Sequence, residues 1–143
     1  MRSNEASSEA ENFVRAMLAR PPLHQWLLPE VLAIDVEAGT LTIGLPYRPE
    51  LSRSPDQADY HGGIIATLID MTGHACLAAK LGRRVPTIDM RVDFLRTAVD
   101  TALKATARIL RAGRTIGLCE VEVHDDSGRL IAVGRCVYST RES

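Results

Sequence analysis

The residues best suited to chemistry lie in Tyr60-His61-Gly62-Gly63-Ile64-Ile65-Ala66-Thr67-Leu68-Ile69-Asp70. Two glycines open an apolar run that holds a single carboxylate. A helix that starts at the glycines presents unpaired backbone N–H groups, and glycine lets a ligand come close to them. An acid set among Ile, Ala and Leu is costly to bury without a partner or a task. The segment therefore offers a cradle for an anion or a carbonyl oxygen, and in Asp70 a candidate base or nucleophile. Those are the groups that cleavage of a thioester requires. Taken alone, Asp70 fits a solvent-facing acid better than a catalytic one, and Gly62-Gly63 fits a tight turn into a helix.

Spacing constrains how these groups can cooperate. Gly62 and Asp70 are eight residues apart, about 12 Å along one helix axis at ~1.5 Å per residue. Asp70 cannot attack a carbonyl held at the start of its own helix. If both act on one substrate, they come from two subunits, and the smallest active unit is a dimer. His74, four residues after Asp70, shares its helical face. It could hold the carboxylate or relay a proton, or it could be satisfied by a neighbouring carbonyl.

The elements that position these groups follow from periodicity. Residues 7–20 are expected to form a short helix, with Phe13, Val14, Met17 and Leu18 at helical spacing and Pro21-Pro22 as the stop. His24, Gln25 and Trp26 fall in a connector. Val31 to Val36 and Thr40 to Leu45 are expected as a hairpin around Glu37-Ala38-Gly39. Tyr47 to Tyr60 reads as a loop of about fourteen residues, longer than most connections. Gly62 to Leu81 is a long helix, apolar on most sides and hence buried. Strands follow at 87–95, 102–110, 115–124 and 130–138, with Asp125-Asp126-Ser127-Gly128 as a turn. One buried helix with about six antiparallel strands predicts an α+β domain, the curved sheet wrapping the helix. Its open strand edges suit edge-to-edge pairing of two copies.

Composition narrows the functional classes. The 143 residues suit one domain spanning 1–143, and a formal net charge of −1 with 4% aromatic residues gives nucleic acid nothing to hold. Cys76, Cys119 and Cys136 are an odd number without CxxC spacing, and are expected as buried free thiols in a reducing compartment. His24, His61, His74 and His124 lack metal-ligand spacing, so no metal is expected. The N-terminus lacks the apolar core of a signal peptide and no membrane span is expected, which points to the cytoplasm.

His61-Gly62-Gly63 with Asp70 nine residues after the histidine, within this order of elements, resembles the hotdog-fold acyl-CoA thioesterases of the PaaI-like (phenylacetate-pathway) branch. Thr87-Ile88-Asp89-Met90-Arg91-Val92-Asp93-Phe94-Leu95-Arg96 is similar to that family's strand after the helix. Asp126-Ser127-Gly128-Arg129-Leu130-Ile131-Ala132 is similar to its last hairpin. The resemblance covers residues 31–138 and implies hydrolysis of acyl-CoA to acid and CoA, with no cofactor beyond the CoA of the substrate. It implies that the Gly62 N–H receives the thioester carbonyl, aided by the helix dipole. Asp70 would activate water as base or attack as nucleophile, Thr87 would help place the water, and His61 would brace the loop. Gly63 would line the site. Sites at a dimer interface are implied, with dimers or dimers of dimers as the assembly. Arg83, Arg84, Arg91, Arg96, Arg111 and Arg114 are candidates for the CoA phosphates, Arg114 first because it follows Gly113 in a turn where the family binds the nucleotide.

Two positions depart from the pattern. The Asn or Gln that many relatives carry six residues before the histidine is Pro55 here, without a side-chain donor. Gln57 could substitute if the loop path shifts. Ala58 stands where glycine is usual. Loss of one carbonyl donor costs ~100- to 1,000-fold in rate. A non-catalytic acyl-CoA or acyl-carrier binding module is the rival reading. A hotdog hydratase or dehydratase is a further one, although Asp70-x-x-x-His74 has the wrong spacing for it.

Overall fold

The computed structural model describes residues 2–142. Helices α1 (Arg2–Ala19) and α2 (Pro22–Leu27) precede strands β1 (Glu30–Asp35) and β2 (Thr40–Leu45). A 3-10 turn (Pro49–Leu51) leads into the short strands β3 (Ser52–Ser54) and β4 (Gln57–Tyr60). Helix α3 (Gly62–Leu81) and strands β5 (Thr87–Phe94), β6 (Leu103–Ala112), β7 (Ile116–Asp125) and β8 (Leu130–Ser139) complete the chain. Six strands form one antiparallel sheet in the order β1-β2-β6-β7-β8-β5, which is the hotdog arrangement with α3 as its filling.

Alternation drives the sheet onto α3. Leu103, Ala105 and Ala107 of β6 are buried while Lys104, Thr106 and Arg108 between them are exposed. Cys119, Val121 and Val123 do the same for β7. Against them α3 buries Leu68, Ile69 and Leu77 completely, each worth about 1.5–3 kcal/mol on leaving water. Helix α1 covers α3 with Val14, Met17 and Leu18.

Several local expectations need correction. Helix α1 starts well before Ser7. Residues 4–10 lack an apolar stripe, so periodicity cannot mark them, but no Gly or Pro interrupts the helix there. The connector with His24, Gln25 and Trp26 is a helix: Pro22 starts it with its fixed φ, and Leu28 in the left-handed region (φ 62) ends it. The 47–60 loop contains the β3–β4 hairpin, with Pro55 and Asp56 at its turn. The rigid φ of proline suits that turn. Finally, α3 does reach the length and apolarity of a membrane span. Its buried faces, packed under the sheet and α1, account for that apolarity.

Strand β5 is one of the sheet's two edges, opposite β1, and among the described residues it pairs only with β8. Ile88 (57%) and Phe94 (54%) on it are exposed, an unusual state for large apolar side chains on a strand with one free hydrogen-bonding edge.

Candidate active site

Asp70 is half-buried on α3, where the helix passes the start of β5. Thr87 Oγ1 donates to Asp70 Oδ1 at 2.8 Å. Tyr138 OH, from β8, donates to the Asp70 carbonyl at 2.8 Å and lies 3.3 Å from Oδ1. Among the described residues nothing bonds Oδ2. One carboxylate oxygen is thus tied down by two hydroxyls while the other is left for a ligand or water. Burial pushes the Tyr138 hydroxyl well above the usual tyrosine range, so it remains a proton-bearing donor.

Tyr138 escaped the sequence reading, which placed it only at the end of a strand. The signal for it was Gly73, a glycine in the middle of a helix at a cost of about 1 kcal/mol relative to alanine. A Cβ at Gly73 would stand 2.5 Å from the Tyr138 hydroxyl oxygen. The absence of a side chain at 73 is what lets the phenol reach back to Asp70.

His74 makes no hydrogen bond to Asp70. Its Nε2 accepts instead from the Val85 N–H at 3.3 Å, so neither a direct grip on the carboxylate nor the expected carbonyl partner is found. An acceptor Nε2 puts the ring proton on Nδ1. Burial holds the ring below the ordinary histidine range, with Asp70 opposing and Arg84 and His24 adding to the effect. His74 and His24 both line a cavity of about 660 Å³ between α1, α3 and the start of β5. His24 Nδ1 is 2.9 Å from the Leu18 carbonyl. A carbonyl only accepts, so Nδ1 is the donor in this bond.

The glycine end of α3 is built differently. His61 is the N-cap, extended at φ −64 and ψ 130, and its Nδ1 accepts from the Gly63 N–H at 2.9 Å. Gly63 therefore has its amide engaged and is not a second donor. The Gly62 N–H meets no acceptor among the described residues. Gly62 lines a small cleft with Arg53, Phe94 and Arg96. Gln57 is exposed on β4 and does not line that cleft; Pro55 holds the hairpin turn, so the loop path that would bring Gln57 round is not adopted. Within one chain the structure does not bring Gly62 and Asp70 together: they sit at different turns of α3, beside opposite ends of β5.

Gly113 and Arg114 lie apart from both, in a surface cleft with Arg83 and Arg141. The Gly113 N–H bonds the Ile116 carbonyl, and its own carbonyl accepts from Thr140 Oγ1. All three cysteines are free and buried. Burial pushes the Cys136 thiol up to about 11, which leaves it a poor nucleophile. Among the described residues no three His, Cys, Asp or Glu side chains converge as a metal site would need.

Comparison with known proteins identifies the family and the fold. The family model "Thioesterase superfamily" matches residues 58–132. A crystal structure of a protein from the thioesterase superfamily is 37% identical, with a TM-score of 0.83 over 96% of this chain and 99% of that one. The Escherichia coli PaaI protein, from the phenylacetic acid degradation operon, shares the fold at a TM-score of 0.84 and 20% identity, over 96% of each chain. The medium/long-chain acyl-CoA thioesterase YigI of Escherichia coli K12 is 33% identical over 97 residues, 57% of this chain and 63% of YigI. The chain belongs to the thioesterase superfamily and is a hotdog-fold thioester hydrolase.

Proposed function

We propose that the protein hydrolyses acyl-CoA thioesters, with Asp70 as base or nucleophile and the Gly62 N–H of a second subunit as the carbonyl donor. The observation that carries this reading is the placement of the two groups at opposite ends of edge strand β5. Asp70 is bonded to Thr87 at its first residue. Gly62 lies against Phe94 at its last, whose ring would be 3.5 Å from a Cβ on Gly62. Antiparallel pairing of β5 with its own copy, centred between Met90 and Arg91, sets Thr87 beside the partner's Phe94. Asp70 of one subunit then faces the partner's Gly62, and the two-fold operation makes two such sites. The same pairing covers Ile88 and Phe94.

In each site the free N–H at the α3 start stabilises the charge that builds on the carbonyl oxygen. Asp70 Oδ2, the oxygen without a protein partner, faces the attacking water or the thioester carbon. Thr87 and Tyr138 hold the carboxyl plane fixed through Oδ1, which conserves orientation through the reaction. The arginines beside Gly62 and around Gly113 and Arg114 suit the phosphates of CoA, and Arg114 is exposed as that role requires. The YigI name, medium/long-chain acyl-CoA thioesterase, supports an acyl-CoA substrate.

A binding module without turnover is favoured by Pro55 alone, which removes one source of a second carbonyl donor. Thiol release from an acyl-CoA panel separates the two readings. Asp70→Asn is expected to keep the fold and abolish release. Hydrolysis at the wild-type rate in that variant refutes the role of Asp70.

A further inference from the structure

A buried carboxylate stands behind the Gly62 cleft. Asp59 on β4 is only 4% exposed, and a charge so placed is costly unless it is paired. Its Oδ2 accepts from Arg53 Nε on β3 at 2.5 Å, while Oδ1 is buried without a partner among the described residues. An apolar pair of similar volume would serve the hairpin as well or better, so stability does not account for these two charges. Their effect on Arg53 does. Asp59 takes only Nε, and no bond among the described residues engages the two terminal nitrogens of the guanidinium. The Arg53 side chain is 57% exposed, and it lines the cleft of about 290 Å³ that also holds Gly62, Phe94 and Arg96.

The backbone fixes where Arg53 stands relative to Gly62. The His61 N–H bonds the Leu51 carbonyl at 2.9 Å, and Ser52 is in register with Tyr60. Strand β4 is held on its other side as well, by the Tyr60 N–H on the Ala98 carbonyl and the Asp100 N–H on the Ala58 carbonyl. Arg53 lies two residues beyond Leu51, and Gly62 one beyond His61 in the opposite direction. About 10 Å of ladder therefore separates them, at ~3.4 Å per residue. An arginine stem, with a hydrogen bond of ~2.9 Å on either side of one oxygen, covers that span. Arg53 differs from Arg96, the other arginine of the cleft. Among the described residues Arg96 bonds only the Leu130 carbonyl, so it keeps its full charge for a phosphate. Arg53 and Asp59 sum to zero, which weakens the pull on a distant anion but leaves aimed N–H donors.

We propose that Arg53 is the second donor to the thioester carbonyl, in the role that Pro55 cannot fill, and that the buried Asp59 is the positioning residue that aims it. The proposal rests on the reading of the Gly62 N–H as the first donor. A terminal N–H of Arg53 donates to the carbonyl oxygen as charge builds there. No proton is transferred, and the guanidinium stays charged throughout. Because Asp59 already holds the side chain, the donor needs no reorganisation at the moment of reaction.

The test measures kcat and KM for acyl-CoA esters and for the N-acetylcysteamine thioesters of the same acids, which carry the same carbonyl and no phosphate. Arg53→Lys keeps a cation beside Asp59 and loses the planar fork. Arg53→Met/Asp59→Leu replaces the pair by apolar side chains and leaves no charge buried. Both proteins are expected to melt near the wild-type temperature. On both kinds of substrate kcat is expected to fall by about tenfold or more in the first and by ~100-fold in the second, with KM little changed. Asp59→Asn keeps the Arg53 donors and removes the charge that aims them, so a smaller fall in kcat is expected. A loss confined to the CoA esters overturns the proposal and makes Arg53 a phosphate contact. Wild-type kcat on both kinds of substrate in folded Arg53 variants also overturns it, and leaves the hydrolytic reading of Asp70 standing. An Asp59→Asn protein that loses Tm but not kcat overturns the positioning role. If Gly62→Pro keeps the wild-type rate while the Arg53 variants lose theirs, the Arg53 assignment is supported and the reading of the Gly62 amide fails. Absence of thiol release from every ester by the wild-type protein overturns both.

Discussion

Replacing Gly62 by proline removes a single hydrogen-bond donor and is expected to leave the fold intact. Gly62 is the first helical residue of α3, after the His61 cap. Its N–H has no partner within the helix, as expected at this position. Proline is favoured at that position because its fixed φ suits the first turn. The residue before a proline must be extended, and His61 already is, at φ −64 and ψ 130. A Cβ at 62 meets only the Phe94 ring edge at 3.5 Å, ordinary van der Waals contact. The His61 Nδ1 bond to the Gly63 N–H is untouched. Stability is therefore expected to hold or rise, by about 0.4–1 kcal/mol from the stiffer unfolded chain, which is a few degrees in Tm at this size. Turnover is expected to fall by ~100- to 1,000-fold, the cost of about 2.7–4 kcal/mol for one lost oxyanion donor. The assay is thiol release under saturating acyl-CoA, beside a thermal melt. Gly62→Ala keeps the N–H and adds the same Cβ, so it separates crowding from donor loss and is expected to lose far less. A Gly62→Pro protein that melts normally and turns over as fast as Gly62→Ala would falsify the assignment of this amide to the carbonyl.

Other outcomes follow from the Asp70 cluster. Tyr138→Phe keeps the ring in place and removes the hydroxyl. The Asp70 carbonyl keeps its helical bond, so the stability loss is expected near 1 kcal/mol. Because Thr87 and Tyr138 meet the same carboxylate oxygen, kcat in Thr87→Ala, Tyr138→Phe and the double variant should be non-additive; strict additivity would show that they act separately. Gly73→Ala gains helix propensity of about 1 kcal/mol, but its Cβ would lie 2.5 Å from the Tyr138 oxygen. A net fall in Tm together with a fall in kcat is expected, and a gain in Tm counts against the packing argument. His74 gives a pH signature. Burial depresses its folded-state pKa, so between the ordinary value of about 6.5 and the folded one the unfolded chain binds more protons. The stability His74 contributes is full above about pH 6.5 and is lost as pH falls through the folded value. Urea midpoints on either side of roughly pH 6.5 should show a smaller drop in His74→Gln than in wild type.

Much of this architecture was legible in the chain. Strict alternation in β6 and β7 and the apolar breadth of α3 dictate a sheet laid over a buried helix. The His61-Gly62-Gly63 start and the single acid at Asp70 mark the two chemical groups, and eight residues of helical rise already forbid them from meeting in one subunit. What was not legible depended on contacts between segments far apart in sequence. Tyr138 lies sixty-eight residues from Asp70, and only the approach of β8 beneath Gly73 reveals that its hydroxyl reaches the carboxylate. The partner of His74 is a backbone N–H at Val85, which no spacing rule along a helix can supply. Gln57 is kept away from the glycine cleft by a hairpin that a Pro- and Ser-rich stretch disguised as loop. Local periodicity and helical geometry determined the elements and the separation of Gly62 from Asp70. Tertiary packing decided which hydroxyls hold Asp70, which ring nitrogens of His24 and His74 are engaged, and that the two chemical groups sit at opposite ends of one edge strand.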